Sequence, residues 1–317
     1  MTAVNSEKTT HPVKLPAQIR VLERGWLSSN NVLCHEGEAA TLVDSGYVAH
    51  AGQTVTLLRQ ALEGRQLVRL VNTHSHSDHI GGNATLQREF GCDIVIPSGI
   101  ASAVTAWDEN VLMLKPSGQR GDPFRHDAVL APDEEFVMGG LLWKALPAPG
   151  HDMTALVFHC PEARLLISGD ALWRDGFGIV FAEVMGLGEG LQATRTTLET
   201  IGRLDVGIVI PGHGAPFAEF DDALVRAFRR VDAFAEDPGR MARNAIKACF
   251  TFNLLELESL PRAALPGYLE SIPFFHDVAT RILAMDIGAA ADWLIVELTR
   301  AGAIEIRGDL IVPTMAP

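Results

Sequence analysis

The sequence has no pair of cysteines at the spacing of a metal–thiolate or redox motif. Its four cysteines are spread over 317 residues. Because none of them forms a Cys-x-x-Cys pair, neither a zinc–thiolate site nor a disulfide framework is expected. We expect four reduced and mostly buried thiols, as is usual in cytosolic proteins.

Long apolar runs are also absent. No stretch reaches the length of about 18 apolar residues that a membrane-spanning helix needs. The most apolar segment, residues 288–298, is interrupted by Asp292 and Glu297. The first eleven residues are polar and do not resemble a signal peptide. These features predict a soluble, cytoplasmic protein with no membrane partner.

Positive charge is scarce as well. The chain has 39 acidic and 26 basic side chains, which gives a formal net charge of −13. Proteins that bind nucleic-acid backbones or anionic membrane surfaces do so mainly through lysine and arginine. A nucleic-acid partner is therefore not expected, and a small-molecule substrate fits this balance better.

Strand-like and helical segments alternate in the first two thirds of the chain. Residues 32–36 and 39–43 read as a hairpin, and a helical repeat follows over residues 53–63. Further strands are predicted over residues 67–71, 94–96, 141–146, 155–159, 165–168 and 207–210, with a helix over residues 190–203. This alternation predicts a layered α/β domain over residues 17–220, preceded by a loose tail.

From residue 221 the pattern changes to mainly helical spacing. Helices are predicted over residues 223–235, 242–257, 278–283 and 289–301. Two short strands then flank Arg307-Gly308-Asp309, which is a tight hairpin signal. Residues 221–317 are therefore predicted to form a C-terminal helical subdomain, which is winged-helix-like because a small hairpin follows its helices.

The strongest feature is the run His74-x-His76-x-Asp78-His79, four metal-ligand residue types within six positions. In an extended segment, residues two apart point to the same side, so His74 and His76 could grip one ion. Asp78 and His79, at the turn into a helix, would face a neighbouring position. Buried polar groups must be paired or coordinated, which favours a metal site over a solvated histidine-rich loop.

Three further ligand types share one setting, because each ends a strand-like run beside a glycine. They are His151 in Pro149-Gly150-His151, Asp170 after Gly169, and His213 between Gly212 and Gly214. Taken singly, each is typical of a turn. Taken together, they predict side chains that converge at one edge of a sheet, where open α/β folds generally place their sites.

The order of these seven residues resembles the metallo-β-lactamase superfamily over about residues 17–220. The resemblance implies an αββα sandwich, in which two mixed β-sheets are flanked by helices. It also implies that His74, His76 and His151 hold one ion, that Asp78, His79 and His213 hold a second, and that Asp170 bridges them. We expect two divalent ions, zinc first, with manganese or iron as alternatives that the same ligands accept.

Asp170 also separates branches of that superfamily. The members that cleave β-lactams generally lack a bridging aspartate, and many use a cysteine ligand. Here the nearest cysteine, Cys160, lies ten positions before Asp170. The pattern, with Gly81-Gly82 after His79, is more similar to glyoxalase II, related thioesterases, lactonases and the lactamase-β-like-2 group, whose C-terminus the tail also resembles. The resemblance thus implies a hydrolase that is not primarily a β-lactamase.

These residues suggest hydrolysis without a serine or cysteine nucleophile. A hydroxide shared by two metal ions would attack the carbonyl carbon of a small thioester, ester or lactone. Asp78 is the expected catalytic residue, because it could orient the hydroxide and move a proton. The resemblance alone favours a thioester slightly.

Three other functions stay open at this point. A metal-dependent RNA nuclease is disfavoured, because residues 221–317 hold 14 acidic and 10 basic side chains where a nucleic-acid surface should be basic. A mononuclear iron oxygenase of the same superfamily would keep similar ligands. A binding module without catalysis is the third alternative. Oligomeric state also stays open, with a homodimer through the C-terminal subdomain as one option.

Overall fold

A computed structural model describes residues 13–315 of the chain. The predicted loose tail, residues 1–16, therefore lies mostly outside the described residues. The first part of the chain forms a six-stranded mixed sheet, whose first three strands are antiparallel and whose last four pair in parallel. In order, its strands are β1 (Ile19–Leu22), β2 (Asn31–Glu36), β3 (Ala39–Val43), β4 (Gln66–Val71), β5 (Asp93–Pro97) and β6 (Ala128–Leu130).

A second mixed sheet has five strands, antiparallel except for its last pair. Every residue of its strands β9 and β10 is buried, because another layer covers each face of the sheet. This explains why apolar residues dominate both strands, although β9 also contains His159 and β10 ends with Ser168 and Gly169. The strands are β7 (Glu135–Met138), β8 (Leu141–Pro147), β9 (Leu156–Cys160), β10 (Leu165–Gly169) and β11 (Ile208–Pro211).

The two sheets pack face to face with helices on both outer sides. The core between them combines Val43 and Val71 of the first sheet with Trp143 and Phe158 of the second. One outer core lies under α1, α3 and α4, and another lies under α7 and α8. The helices are α1 (Ala51–Ala61), α2 (Ser77–Ile80), α3 (Asn83–Phe90), α4 (Ala101–Ala106), α5 (Leu114–Ser117), α6 (Phe181–Val184), α7 (Gly190–Ile201) and α8 (Phe220–Glu236).

This layering is the αββα sandwich of two mixed sheets that the sequence analysis expected. Three strands of the two sheets, β1, β6 and β7, were not predicted, and each is short or exposed. In β7, for example, Glu135 and Val137 face solvent and only Met138 is buried. A four-residue edge strand of this kind carries too few apolar positions to show a period.

The C-terminal part is helical, with a third, small sheet at its end. The α8 and α9 helices are separated by Asp237 alone, and Asp237 caps α9 by accepting a hydrogen bond from the Arg240 amide, with Pro238 following it. Such a cap and a proline in the first turn both favour a helix start. The elements are α9 (Pro238–Leu257), β12 (Leu260–Pro261), α10 (Leu265–Ser271), α11 (Pro273–Asp277), a π-helix (Val278–Ile282), α12 (Ile287–Arg300), β13 (Ile304–Arg307) and β14 (Leu310–Pro313).

One buried polar contact fastens this helical part to the sandwich. The Tyr47 hydroxyl, at the end of the loop after β3, hydrogen-bonds to the Glu256 carboxylate on α9. The Arg120 guanidinium donates to the same carboxylate, and its backbone amide donates to the Tyr47 oxygen at 3.1 Å. Between residues 13 and 315, no helix combines the length and apolar character that crossing a bilayer requires.

Candidate metal centre

Seven side chains of ligand type meet at one end of the sandwich. They follow the C-terminal ends of four strands, β4, β8, β10 and β11, which bring their loops to the same edge. The side chains fall into two groups, in each of which the ligand atoms lie within 4.8 Å of one another. One group is His74, His76 and His151, and the other is Asp78, His79, Asp170 and His213.

The first group consists of imidazoles alone. The His76 Nδ1 atom lies 2.7 Å from His151 Nε2. The His151 Nδ1 atom lies 2.6 Å from the Ile179 carbonyl oxygen. Because a carbonyl oxygen only accepts hydrogen bonds, Nδ1 carries the proton and Nε2 offers its lone pair to the site. On His74, Nδ1 lies 3.0 Å from the Thr73 hydroxyl, which leaves Nε2 facing the other two rings.

The second group combines two carboxylates with two imidazoles. The Asp78 Oδ2 atom lies 2.9 Å from His213 Nε2 and 3.6 Å from His79 Nε2. The Asp170 Oδ1 atom lies 3.5 Å from His79 Nε2. The other oxygen of Asp170, Oδ2, lies 3.3 Å from His151 Nε2, which belongs to the first group. Asp170 therefore stands between the two groups, where a shared ligand would stand.

Close backbone packing accounts for the glycine before His213. A Cβ atom on Gly212 would run into the Asp170 carboxylate and would lie 3.0 Å from the His79 ring. The Gly212 amide also donates to the Gly169 carbonyl at 2.7 Å, and its carbonyl accepts from Asn30. Glycine at this position thus lets the β10 and β11 loops approach closely enough for Asp170 and His213 to share a site.

Burial and mutual charge shift the acid–base behaviour of these groups. Burial, with the nearby imidazole of His151, lowers the pKa of His76 to about 4. Against the effect of burial, the carboxylates of Asp78, Asp44 and Asp170 raise the pKa of His79 well above its usual range. Also against burial, neighbouring histidines hold the pKa of Asp78 and Asp170 below the usual value. The carboxylates thus stay charged, and a cation in the site would displace protons.

Two buried nitrogens test whether this site suits metal ions. Within residues 13–315, the Nε2 atoms of His74 and His79 are buried and have no hydrogen-bond partner. A buried polar atom without a partner is costly, by about 1–3 kcal/mol. Both atoms point into the clusters, where a divalent cation would satisfy them. Imidazole and carboxylate donors suit zinc, manganese or iron, and the four cysteines are buried as free thiols elsewhere.

Two aspartates that are not in the clusters support the ligand loop. The Asp44 carboxylate accepts from the Thr73 amide at 2.9 Å and the Thr73 hydroxyl at 2.8 Å, and its Oδ2 lies 2.7 Å from His79 Nδ1. Asp44 thus supports the ligand loop and belongs to neither of the two ligand groups. Asp152 was not anticipated, although it directly follows His151. It accepts from the Ser75 hydroxyl at 3.0 Å and so fixes the loop between His74 and His76.

Aromatic residues at the site were also not predicted from the sequence. The Trp173 indole donates to Asp170 Oδ1 at 3.1 Å. The Trp26 ring stacks on His213 with centroids 5.2 Å apart, and the Phe181 ring lies 5.0 Å from His76 edge-on. The sequence offered one signal for these contacts, namely that Trp173 lies three positions after Asp170. Trp26 lies far away in sequence, so only the fold reveals its role.

A cavity of about 410 Å³ opens onto the two clusters. Metal-side residues Asp78, His151 and Asp170 line one end, and α9 lines much of the rest. The segment 97–135 contributes Met113, Ser117 and Gln119 to the lining of the cavity. Trp107 and His126 of the same segment do not line the cavity. The Trp107 ring packs edge-on against Phe124, with centroids 5.9 Å apart.

Comparison with known proteins agrees with this geometry. The family model described as Metallo-beta-lactamase superfamily matches residues 24–213. That span contains all seven side chains of the two clusters and ends at the last of them. It comprises more than half of the chain.

Two similar curated proteins are both named hydroxyacylglutathione hydrolase. The protein from Rhizobium etli is 26% identical over 155 residues, which are 47% of this chain and 53% of that protein. The protein from Methylococcus capsulatus is 31% identical over 170 residues, or 52% of this chain and 54% of that protein. The chain thus spans about half the length of these curated relatives.

One solved structure extends the likeness beyond the sandwich. A metallo-beta-lactamase family protein from Thermus thermophilus superposes with a TM-score of 0.56 at 17% identity, covering 95% of this chain and 100% of that chain. At this identity the likeness concerns the fold alone. Because it covers nearly the whole chain, it includes the C-terminal helices.

Proposed function

The chain belongs to the metallo-beta-lactamase superfamily, and on that premise we propose that it is a metal-dependent hydrolase acting on a small thioester, ester or lactone. One observation carries the proposal. Two ligand groups flank Asp170, and the buried Nε2 atoms of His74 and His79 have no partner among the described residues. A purely structural polar cluster would be expected to satisfy such atoms internally.

The ligand roles follow from the two groups. His74, His76 and His151 would hold one ion, and Asp78, His79 and His213 the second, with Asp170 between them. Zinc is the ion we propose first. When bound, two such ions polarise a carbonyl oxygen and lower the pKa of a shared water towards about 7, which makes hydroxide available at neutral pH.

Asp78 is proposed as the catalytic residue among these side chains. It lines the cavity, and its Oδ2 atom lies 2.9 Å from His213 Nε2. Its lowered pKa keeps the carboxylate charged. A charged carboxylate at this position can orient an attacking water and accept a proton from it. Nearby, Asp44 and Asp152 hold the loop on which Asp78 is carried.

A thioester is the substrate class we favour within this reaction. The curated relatives named hydroxyacylglutathione hydrolase support it, since their name describes cleavage of an acyl–glutathione bond. The cavity also suits a small acyl compound, because Trp26, Phe181 and Trp173 provide apolar walls beside the ligands. Ester and lactone cleavage would use the same attack on a carbonyl carbon.

The test is hydrolysis of acyl thioesters, aryl esters, lactones and RNA by zinc-loaded protein, with and without a chelator. We expect chelator-sensitive thioester hydrolysis. Asp170→Asn should lower kcat/KM more than about 100-fold, above the 10- to 100-fold typical of outer-shell changes, and should lower the bound metal per chain.

The matched control is Asp175→Asn, which changes an exposed aspartate on the loop that follows Asp170. It should retain the metal content and activity of the unchanged protein. Full activity in Asp170→Asn, or hydrolysis that survives metal removal, would show that the site does not act as proposed.

A further inference from the structure

One arginine in the cavity has no partner for its charge. Arg230, on α8, lines the cavity and is largely enclosed by aromatic rings. Its guanidinium carbon lies 5.2 Å from the ring centroids of both Phe177 and Phe234. Within residues 13–315 it forms no ion pair, and its Nε atom is buried without a hydrogen-bond partner. Arginine is rarely enclosed in this way unless it is paired.

The rest of the lining strengthens this positive charge instead of neutralising it. Apart from the residues of the two metal-ligand groups, the charged residues that line the cavity are Arg230 and Lys247. Lys247 has only a loose pair, with its Nζ atom 3.7 Å from the Glu297 carboxylate. Asn244, one turn earlier on α9, adds an amide to the same wall. The cavity thus has carboxylates at the metal end and, towards α8 and α9, one arginine without an ion pair in the described residues and one loosely paired lysine.

The backbone places Arg230 beside the loop that borders the metal centre. A Cβ atom on Gly176 would lie 2.8 Å from Arg230 Nη1, so glycine leaves room for the guanidinium there. Two residues later, the Gly178 amide donates to the Asp170 carbonyl at 2.9 Å. Since two residues span at most about 7 Å, the same short loop borders both the guanidinium and the metal-ligand groups.

We propose that Arg230 and Lys247 form an anion-binding subsite, and that the substrate carries a carboxylate or phosphate on the part that is not attacked. The guanidinium is the group best suited to this, because its planar array of donors matches both anions. The substrate class becomes an anionic acyl thioester or ester. The role of this subsite in substrate recognition rests on the proposed hydrolase function. Anion binding itself can be measured without turnover.

The first experiment therefore measures binding. The probes are 3-(methylthio)propionate, its neutral primary amide, and 2-(methylthio)ethyl phosphate, none of which has a thioester, carboxylic ester or lactone to hydrolyse. Titration calorimetry on zinc-loaded protein should show binding of the anions and at least about 10-fold weaker binding of the amide. Arg230→Gln should weaken anion binding about 10- to 100-fold, as expected for loss of a charge-assisted hydrogen bond. The two anions separate a carboxylate subsite from a phosphate subsite.

Arg229→Gln is the matched control, since it removes an exposed positive charge from the adjacent position of the same helix. It should leave binding unchanged within about twofold. Arg230→Lys keeps the charge and should retain part of the affinity. Because Arg230 also packs on two rings, thermal melting of each variant identifies any loss caused by unfolding.

Two results would overturn the subsite. One is anion binding that Arg230→Gln and Lys247→Gln leave intact. The other is anion binding that is lost when the metal is removed but is retained in Arg230→Gln. That result would mean that the metal ions, and not Arg230, bind the anion. A second assay, with S-benzoyl-3-mercaptopropionate and its methyl ester, tests turnover. Anion binding without any hydrolysis would contradict the proposed function and leave the subsite standing.

Discussion

The sandwich and the helical C-terminal part are stabilised by different kinds of contact. Within the described chain, the buried polar side chains after residue 220 are Thr251 and Asn253, whereas the loops around the metal centre hold many more. The C-terminal core is instead apolar, with Phe250, Phe274 and Phe275 packed together. Networks of hydrogen bonds fix the positions and orientations of the side chains in a site. Apolar packing contributes stability and depends less on the orientation of each contact.

This difference has a consequence for function. The ligands all come from the sandwich, but most of the cavity wall opposite them comes from α9. The sandwich therefore defines the reaction that is proposed, and the C-terminal part defines the shape and charge of the space for the substrate. Changes in the two parts should affect different measurements.

The largest effect on stability is expected from the apolar part. Phe275 is fully buried and packs against Phe250, Phe274 and Tyr268. Phe275→Ala should lower the free energy of unfolding by about 3–5 kcal/mol, because it removes buried apolar surface and leaves a cavity. Urea denaturation followed by circular dichroism measures this change. If the two parts differ as described, the folded variant still binds its full complement of metal.

Val296→Ala provides the comparison for that variant. Val296 lies on α12 in the same part of the chain but is 53% exposed, so the loss should stay within about 0.5 kcal/mol. Loss of metal from folded Phe275→Ala would mean that the C-terminal core also shapes the ligand geometry.

A smaller effect, on metal affinity, is expected from the polar part. Asp44→Asn removes the charge that faces His79 Nδ1 at 2.7 Å and weakens the bonds that fix Thr73. Outer-shell changes of this kind weaken metal binding about 10- to 100-fold. Competition with a chromophoric chelator measures the affinity, which should fall. The melting temperature of the metal-free protein should fall as well, because buried His79 loses its charged partner.

Asp127→Asn is the counterpart outside the centre, because Asp127 also accepts a backbone hydrogen bond, from the Ile94 amide at 3.0 Å. It should leave metal affinity unchanged. Equal affinity in Asp44→Asn and the unchanged protein would remove Asp44 from the account of the metal centre.

The same contrast explains what could be predicted from the sequence. The strand ends and the ligand types were visible because a metal site requires particular residues at short spacing, as in the run from His74 to His79. The layered α/β class was visible because strand-like and helical segments alternate over residues 17–220. The resemblance to a known superfamily implied the αββα sandwich of two mixed sheets, which periodicity alone does not determine.

The features that escaped prediction depend on contacts between distant segments. Trp26 meets His213, and Arg230 reaches the cavity only because α8 and α9 fold back over the ligands. Neither contact produces a local sequence pattern, since a single residue does not indicate which distant segment it will meet in the folded chain. The short strands β6 and β7 were missed for a related reason, because pairing within the sheet defines them more than their own residues do.

The smallest predicted effect concerns the contact that joins the two parts. Tyr47 bonds to Glu256 across the boundary, whereas Tyr268, the other tyrosine in the chain, accepts from Asn253 at 3.0 Å within the C-terminal part. Tyr47→Phe should lower the free energy of unfolding by about 1 kcal/mol, the usual contribution of one hydrogen bond. Tyr268→Phe makes the same chemical change at a tyrosine that does not bond to Glu256, although its partner Asn253 also donates to the Ser117 carbonyl at 2.9 Å. A double-mutant cycle with Glu256→Gln should give a coupling of at least about 0.5 kcal/mol for Tyr47 and about zero for Tyr268. If the two tyrosines couple equally to Glu256, the Tyr47–Glu256 bond has no special role in joining the two parts.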